Sequence, residues 1–240
     1  MSFQTVSRFL GITTVIAATA GISAPIVGCS SAAAPPQDTG LPAEDLSTEA
    51  NPYSVAYPTK GYGTQARSGN VAGNVFKNFR FYGYPNGDGT GGLQPISMAK
   101  YFDPEMRNYK IIVLSVTGNW CTYCRQETAE IIAKNEVFKG KQIAMIQAVA
   151  EGKSSGIPAT KDNFDAWVKD YKHNFDVFLD DGKRNLSQYF ASGGLPFNLV
   201  IDARTMEILS AQNGTRPPPL DKEYDSFVKW VDGNAPTEYK

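Results

Sequence analysis

Trp120-Cys121-Thr122-Tyr123-Cys124 is the stretch whose reading decides the fold. Before it, Lys110-Ile111-Ile112-Val113-Leu114-Ser115-Val116 predicts a buried strand; after it, Arg125 to Phe138 predicts a helix. Both cysteines therefore fall at a strand-to-helix junction. A thiol at the first turn of a helix faces unpaired backbone N–H groups and the positive end of the macrodipole, which favours thiolate over thiol. Cys121 occupies that position. Cys124 lies one helical turn further in, close enough to close a disulfide with the first sulfur, so the pair can cycle between dithiol and disulfide.

Three other readings compete: a structural bridge, half of a zinc site, or two core thiols. A zinc site needs four ligands, and the chain offers one further cysteine, Cys29, and one histidine, His173, both distant in sequence. A bridge that closes only two residues removes little entropy from the unfolded chain and stabilises little. Redox chemistry is the favoured use of the pair.

The chain has 240 residues, 42% hydrophobic and 20% charged, enough for one globular domain with appendages. Its 23 basic and 24 acidic residues leave a net charge of −1 with no long run of either sign, which argues against nucleic acid or an anionic lipid surface as partner. A single histidine excludes multi-histidine metal centres and acid–base schemes with two imidazoles.

Up to Gln37 the one charged side chain is Arg8, followed by an apolar run from Phe9 to Val27 that ends in Ile26-Val27-Gly28-Cys29. This reads as a secretory signal over residues 1–28, because Gly11, Gly21 and Pro25 interrupt the run and no basic stop-transfer cluster follows. The last four residues resemble a bacterial lipobox, which implies lipidation of Cys29 and a membrane-attached, extracytoplasmic protein in a bacterial cell envelope. Ser30 after the cysteine implies outer-membrane sorting where there are two membranes, with the domain in the periplasm. Residues 29–70 are rich in Ala, Pro, Ser, Thr and Gly and predict a flexible tether spanning roughly 35 Å. The folded domain is expected over residues 71–240.

Within it, Val75 to Phe81 alternates like a half-buried strand. Asn86 to Gly92 resembles the start of a calcium loop, yet Ser97 stands where the bidentate Glu belongs, so a Gly/Asn/Asp turn is expected. Further strands are predicted over 142–149, 176–180, 195–202 and 207–210. Helices are predicted over 160–172 with a core stripe of Phe164, Trp167, Val168 and Tyr171, over 185–190, and over 221–231 with Asp221 as cap. His173 is read as a cation at a helix end. Alternating strands and helices predict an α/β fold with a central mixed sheet covered on both faces and an N-terminal strand extension.

The order strand, Trp-Cys-x-x-Cys, helix, strand, helix, then Gly194-Leu195-Pro196 opening a strand that ends in Ile201-Asp202, resembles the thioredoxin superfamily over residues 75–235. The match is closer to its membrane-tethered extracytoplasmic thiol-disulfide oxidoreductases, in which a glutamate follows the second cysteine by three, as Glu127 does here. The resemblance implies that Pro196 is the family's cis-proline facing the disulfide. It also implies that Leu195 presents its backbone to an extended partner chain, and that Trp120, Leu195 and Pro196 contact the substrate.

Departures matter as much. The dipeptide between the cysteines is Thr-Tyr, so the family's redox potentials do not carry over. Ser115 stands where thioredoxins carry a buried proton-relaying aspartate; a serine cannot be that base, and Glu127 is the substitute. The peroxiredoxin branch carries Thr or Ser three residues ahead of its reactive cysteine, where this chain has Gly118, which disfavours peroxidase activity. The expected activity is thiol-disulfide exchange with partner proteins, Cys121 attacking and Cys124 resolving. It needs no metal and no cofactor beyond the Cys121–Cys124 disulfide, and implies a membrane electron donor or acceptor. Two alternatives stay open: a Cu(I) metallochaperone on the same fold, and a structural lipoprotein whose disulfide is not catalytic.

Overall fold

The run that opens at Ile111 forms an interior strand of a seven-stranded mixed sheet because its side chains on both faces are apolar enough to be buried. The computed structural model describes residues 48–59, 72–183, 185–190, 194–216 and 218–236. The expected signal segment and Cys29 lie outside them. In chain order the elements are β1 (Arg80–Tyr84), β2 (Gln94–Ser97), β3 (Ile111–Gly118), α1 (Thr122–Gly140) and β4 (Ile143–Glu151). They continue with α2 (Lys161–Tyr171), β5 (Asp176–Leu179), β6 (Phe197–Asp202), β7 (Ile208–Asn213) and α3 (Leu220–Gly233). The sheet order is β2-β1-β5-β4-β3-β6-β7, with β3/β4 and β4/β5 parallel and the remaining pairs antiparallel. This is the thioredoxin-like α/β fold.

The two faces are covered differently. Ser115, Gln147 and Asn198 share one register on β3, β4 and β6 and face the same way. Ser115 reaches Glu127 of α1, while Gln147 reaches both Thr128 of α1 and Trp167 of α2, so these two helices lie on one face. Helix α3 packs on α1 through Phe138 and Tyr224, whose rings meet edge-on at 5.4 Å. On the other face, Phe81 stacks on Phe178 at 4.0 Å, and a 3-10 turn (Leu186–Tyr189) adds Tyr189 against Phe76 and Phe79.

Several expectations shift in detail. The strand expected from Val75 starts at Arg80; Val75 makes a single bridge to Glu207, and Phe76 and Phe79 are spent on the aromatic cluster instead. Residues 48–59, expected in the tether, pack on the domain: the buried Asn51 amide donates to the Phe102 carbonyl, and Tyr57 Oη donates to the Phe76 carbonyl. Those side-chain bonds supply the attachment that the low apolar content does not reveal. Asp221 does not cap α3; it pairs with Lys134 at 2.6 Å, and Glu130 accepts from the Leu220 N–H instead. The Asn86–Gly92 segment is a turn in which Asp88 accepts from the N–H and hydroxyl of Thr90.

His173 is the largest correction. It follows α2, but it is buried and neutral rather than a helix-end cation, because burial lowers its pKa to about 3. Gln147 Oε1 accepts from Trp167 Nε1 and faces His173 Nε2 at 3.0 Å, which places the imidazole proton on Nε2. Because the folded pKa lies below the ordinary value near 6.5, the unfolded chain takes up a proton first as pH falls. Stability is therefore expected to drop by up to ~1.4 kcal/mol per pH unit below about pH 6.5. The imidazole proton NMR signals of this sole histidine should stay unshifted from pH 8 to about pH 4; a titration midpoint near 6.5 would contradict the burial.

Candidate active site

β3 ends at Gly118, and three backbone bonds turn the chain into α1. Asn119 N–H donates to the Glu151 carbonyl at 2.9 Å, Trp120 N–H to Gly152 at 3.2 Å, and Cys121 N–H to Gly118 at 3.0 Å. Gly118 is closely surrounded: a Cβ there would sit 3.0 Å from both Glu151 Cβ and Trp120 Nε1 and 3.2 Å from Leu195 Cδ1, so these side chains would have to give by a few tenths of an ångström. Cys121 then takes an extended conformation and caps α1 with its own sulfur, Sγ accepting the Cys124 N–H at 3.1 Å. Outside, the Arg125 guanidinium clips the Asn119 carbonyl at 2.6 Å.

Cys121 and Cys124 form a disulfide with Cα atoms 5.2 Å apart. The Leu195 carbonyl oxygen lies 3.5 Å from Cys121 Sγ, and the Leu195–Pro196 bond is cis. That loop is held at both ends: Asn213 Nδ2 donates to the Gly194 carbonyl at 2.8 Å, and Gly214 N–H donates to the Pro196 carbonyl at 2.7 Å. Trp120, half-buried, donates its indole N–H to Glu151 at 2.7 Å. The sequence-selected residues Trp120, Cys121, Cys124, Leu195 and Pro196 are thus brought to one place.

Glu127 lies one turn beyond Cys124 and is 4% exposed, so it is not a solvated surface glutamate. Its Oε1 accepts from Ser115 Oγ at 3.0 Å and its Oε2 from Asn198 Nδ2 at 3.2 Å. Burial raises its pKa, outweighing the hydrogen bonds from Asn198 and Ser115 and the nearby Arg216. Arg216 itself is buried, pairing with Glu223 at 2.5 Å and donating to Ser210 Oγ at 3.1 Å. A protonatable carboxyl thus sits on the same helix as the sulfurs, inside the protein.

Asn198, Arg216, Glu151 and Lys183 were not picked out from the sequence. A signal existed for Asn198, since it interrupts an otherwise apolar strand two residues after Pro196, as Ser115 and Gln147 interrupt theirs. The asymmetry expected of the two cysteines appears in hydrogen bonding and not in exposure, because each is 1% exposed. Tyr123 between them is 65% exposed and forms the motif's outer face. His173 is engaged by Gln147, and among the described residues no cluster of three His, Cys, Asp or Glu could hold a metal ion. Nor is any described helix long and apolar enough to cross a membrane.

Among solved structures, the chain is similar to a candidate thiol:disulfide interchange protein DsbE from Chlorobium tepidum, at 15% identity, covering 69% of this chain and 99% of that one with a TM-score of 0.49. It is also similar to the thioredoxin domain of a thiol-disulfide oxidoreductase from Bacteroides vulgatus (14%, 68% and 99%, TM-score 0.49). A thiol:disulfide interchange protein from Bacteroides sp. is a third (16%, 69% and 91%, TM-score 0.46). No curated protein sequence matches the chain. The model of the AhpC/TSA family matches residues 73–207, from the segment before β1 to the residue before β7 and across Trp120, Cys121, Cys124, Leu195 and Pro196. With more than half of its length matched, the chain belongs to the AhpC/TSA family, on a thioredoxin-like fold.

Proposed function

We propose that the protein is a lipid-anchored, extracytoplasmic thiol-disulfide oxidoreductase acting on protein cysteines. The observation that carries this reading is the position of Cys121 Sγ as acceptor of an α1 backbone N–H while disulfide-bonded to Cys124. An amide aimed at the sulfur favours the thiolate, the form that attacks.

In the reducing direction, the Cys121 thiolate attacks one sulfur of a partner disulfide; a mixed disulfide forms and the partner's other sulfur leaves as thiolate. Cys124, after yielding its proton to Glu127, attacks Cys121 Sγ and expels the partner's second thiolate. Two electrons pass to the partner and the Cys121–Cys124 disulfide is left behind, to be reduced again by a membrane electron donor. Glu127 suits the relay because its raised pKa lets it exchange protons nearer neutrality than a free carboxyl. Trp120, Leu195 and Pro196 would hold the partner segment. Peroxide reduction is the weaker reading: Gly118, three residues ahead of Cys121, has no hydroxyl.

Covalent trapping tests the assignment. Cys124→Ser is expected to accumulate mixed disulfides with partner proteins on non-reducing gels, whereas Cys121→Ser accumulates few. Glu127→Gln should form adducts at the normal rate but resolve them about 10²-fold more slowly. Equal trapping by both cysteine variants, or peroxide consumption faster than disulfide exchange, would overturn the reading. The anchor is tested separately: intact mass of the native protein should show a lipidated Cys29 at the mature N-terminus, and an unmodified Cys29 would remove it.

A further inference from the structure

Glu151, the last residue of β4, is 1% exposed and divides its carboxylate between two partners. Oε2 accepts from Trp120 Nε1 at 2.7 Å, and Oε1 pairs with Lys183 Nζ at 2.6 Å. The Lys183 side chain is only 16% exposed, and its ammonium stands 5.2 Å from the centre of the Phe190 ring, which stacks on Phe197 next to Pro196. The pair therefore bridges the two arms of the sulfur site, the motif strand-end and the proline loop.

The turn carrying Lys183 is built tightly to do this. Lys183 adopts a left-handed φ of 64°, uncommon for a residue with a side chain, and its N–H donates to the Asp180 carbonyl at 2.8 Å. Asp180, fully buried, accepts from the N–H groups of Asn185 and Leu186 at 2.9 and 3.0 Å, while its own N–H donates to Val149 of β4. Gly182 lies against Pro158, which bridges back to Glu151. A buried ion pair is a poor stabiliser compared with apolar side chains of similar volume, so stability alone gives little reason for this one.

We propose that Lys183 and Glu151 form a charge-balanced positioning pair for Cys121. Glu151 fixes the Trp120 indole beside the motif, and Lys183 cancels the negative charge that the carboxylate would otherwise impose on the neighbouring sulfur. The inference rests on the disulfide-exchange reading. Without Lys183, a buried carboxylate behind Trp120 would oppose a second negative charge on Cys121; without Glu151, a buried ammonium would favour it. Among the described residues, the other charged groups near the motif are Arg125, on the Asn119 carbonyl, and Glu127, one helical turn beyond Cys124 and hydrogen-bonded to Ser115.

The test is the pH profile of Cys121 alkylation in the reduced full chain, with the label assigned by peptide mapping and Trp120 fluorescence recorded alongside. Glu151→Gln keeps an oxygen to accept the indole N–H while removing the charge. It should lower the Cys121 thiol pKa by about one unit, and the double variant Glu151→Gln/Lys183→Met should restore the wild-type value. Lys183→Met alone should raise it. Should that variant fail to fold around its stranded carboxylate, the other two still decide. Glu151→Gln leaving the thiol pKa unchanged, or shifting it equally with and without Lys183, overturns the proposal. Exchange of the wild-type protein with oxidised glutathione is measured in parallel: its absence would defeat the oxidoreductase reading, whereas normal exchange with unshifted variants would defeat only the role of the pair.

Discussion

The hydrogen bond from the Cys124 N–H to Cys121 Sγ is the interaction on which the site depends, and much of the fold serves to hold it. An N-cap normally uses an oxygen from Ser, Thr, Asp or Asn. Here a sulfur takes the position, so the start of α1 and the disulfide are one feature. The junction is short because β3 stays paired antiparallel to β6 as far as Val116 and parallel to β4 as far as Gly118, where the chain turns. The bonds from Asn119 and Trp120 to Glu151 and Gly152 then tie that turn to the end of β4.

Beneath the helix the packing is polar where most interiors are apolar. Ser115, Gln147 and Asn198 stand side by side across three strands and meet Glu127, Thr128 and, through Gln147, Trp167 and His173. Burying such groups costs free energy unless each finds a partner, and here most do. Unlike a greasy contact, this layer can hold a carboxyl whose proton affinity is raised by burial, one helical turn beyond Cys124. Its neighbours extend through Arg216 and Glu223 to α3, so the C-terminal helix contributes to the environment of Glu127.

The architecture was legible because its signals are local. The apolar run into Trp-Cys-x-x-Cys and the Leu195-Pro196 pair each report their own surroundings, and from β3 onward the strands and helices begin and end within a few residues of expectation, whereas β1 starts at Arg80 instead of Val75 and β2 was not expected. What stayed hidden depends on contacts far apart in sequence. Lys183 and Glu151 are 32 residues apart, and nothing around either shows that a buried pair will form. His173 misled for the same reason: its position after α2 favours a cation, and only Gln147, from another element, makes it a neutral core residue. Asn51 likewise looks like tether until its bond to Phe102 is seen.

On the proposed reading, capping of α1 by sulfur makes Cys121 the attacking thiolate. The most direct test of that role is the rate of alkylation of the reduced wild-type chain as a function of pH, with the labelled cysteine identified by peptide mapping. The account predicts that Cys121 is labelled first, with a midpoint below the value of about 8.5 for a free thiol, and that Cys124 lags. First labelling at Cys124, or a Cys121 midpoint at or above that of a free thiol, would contradict it.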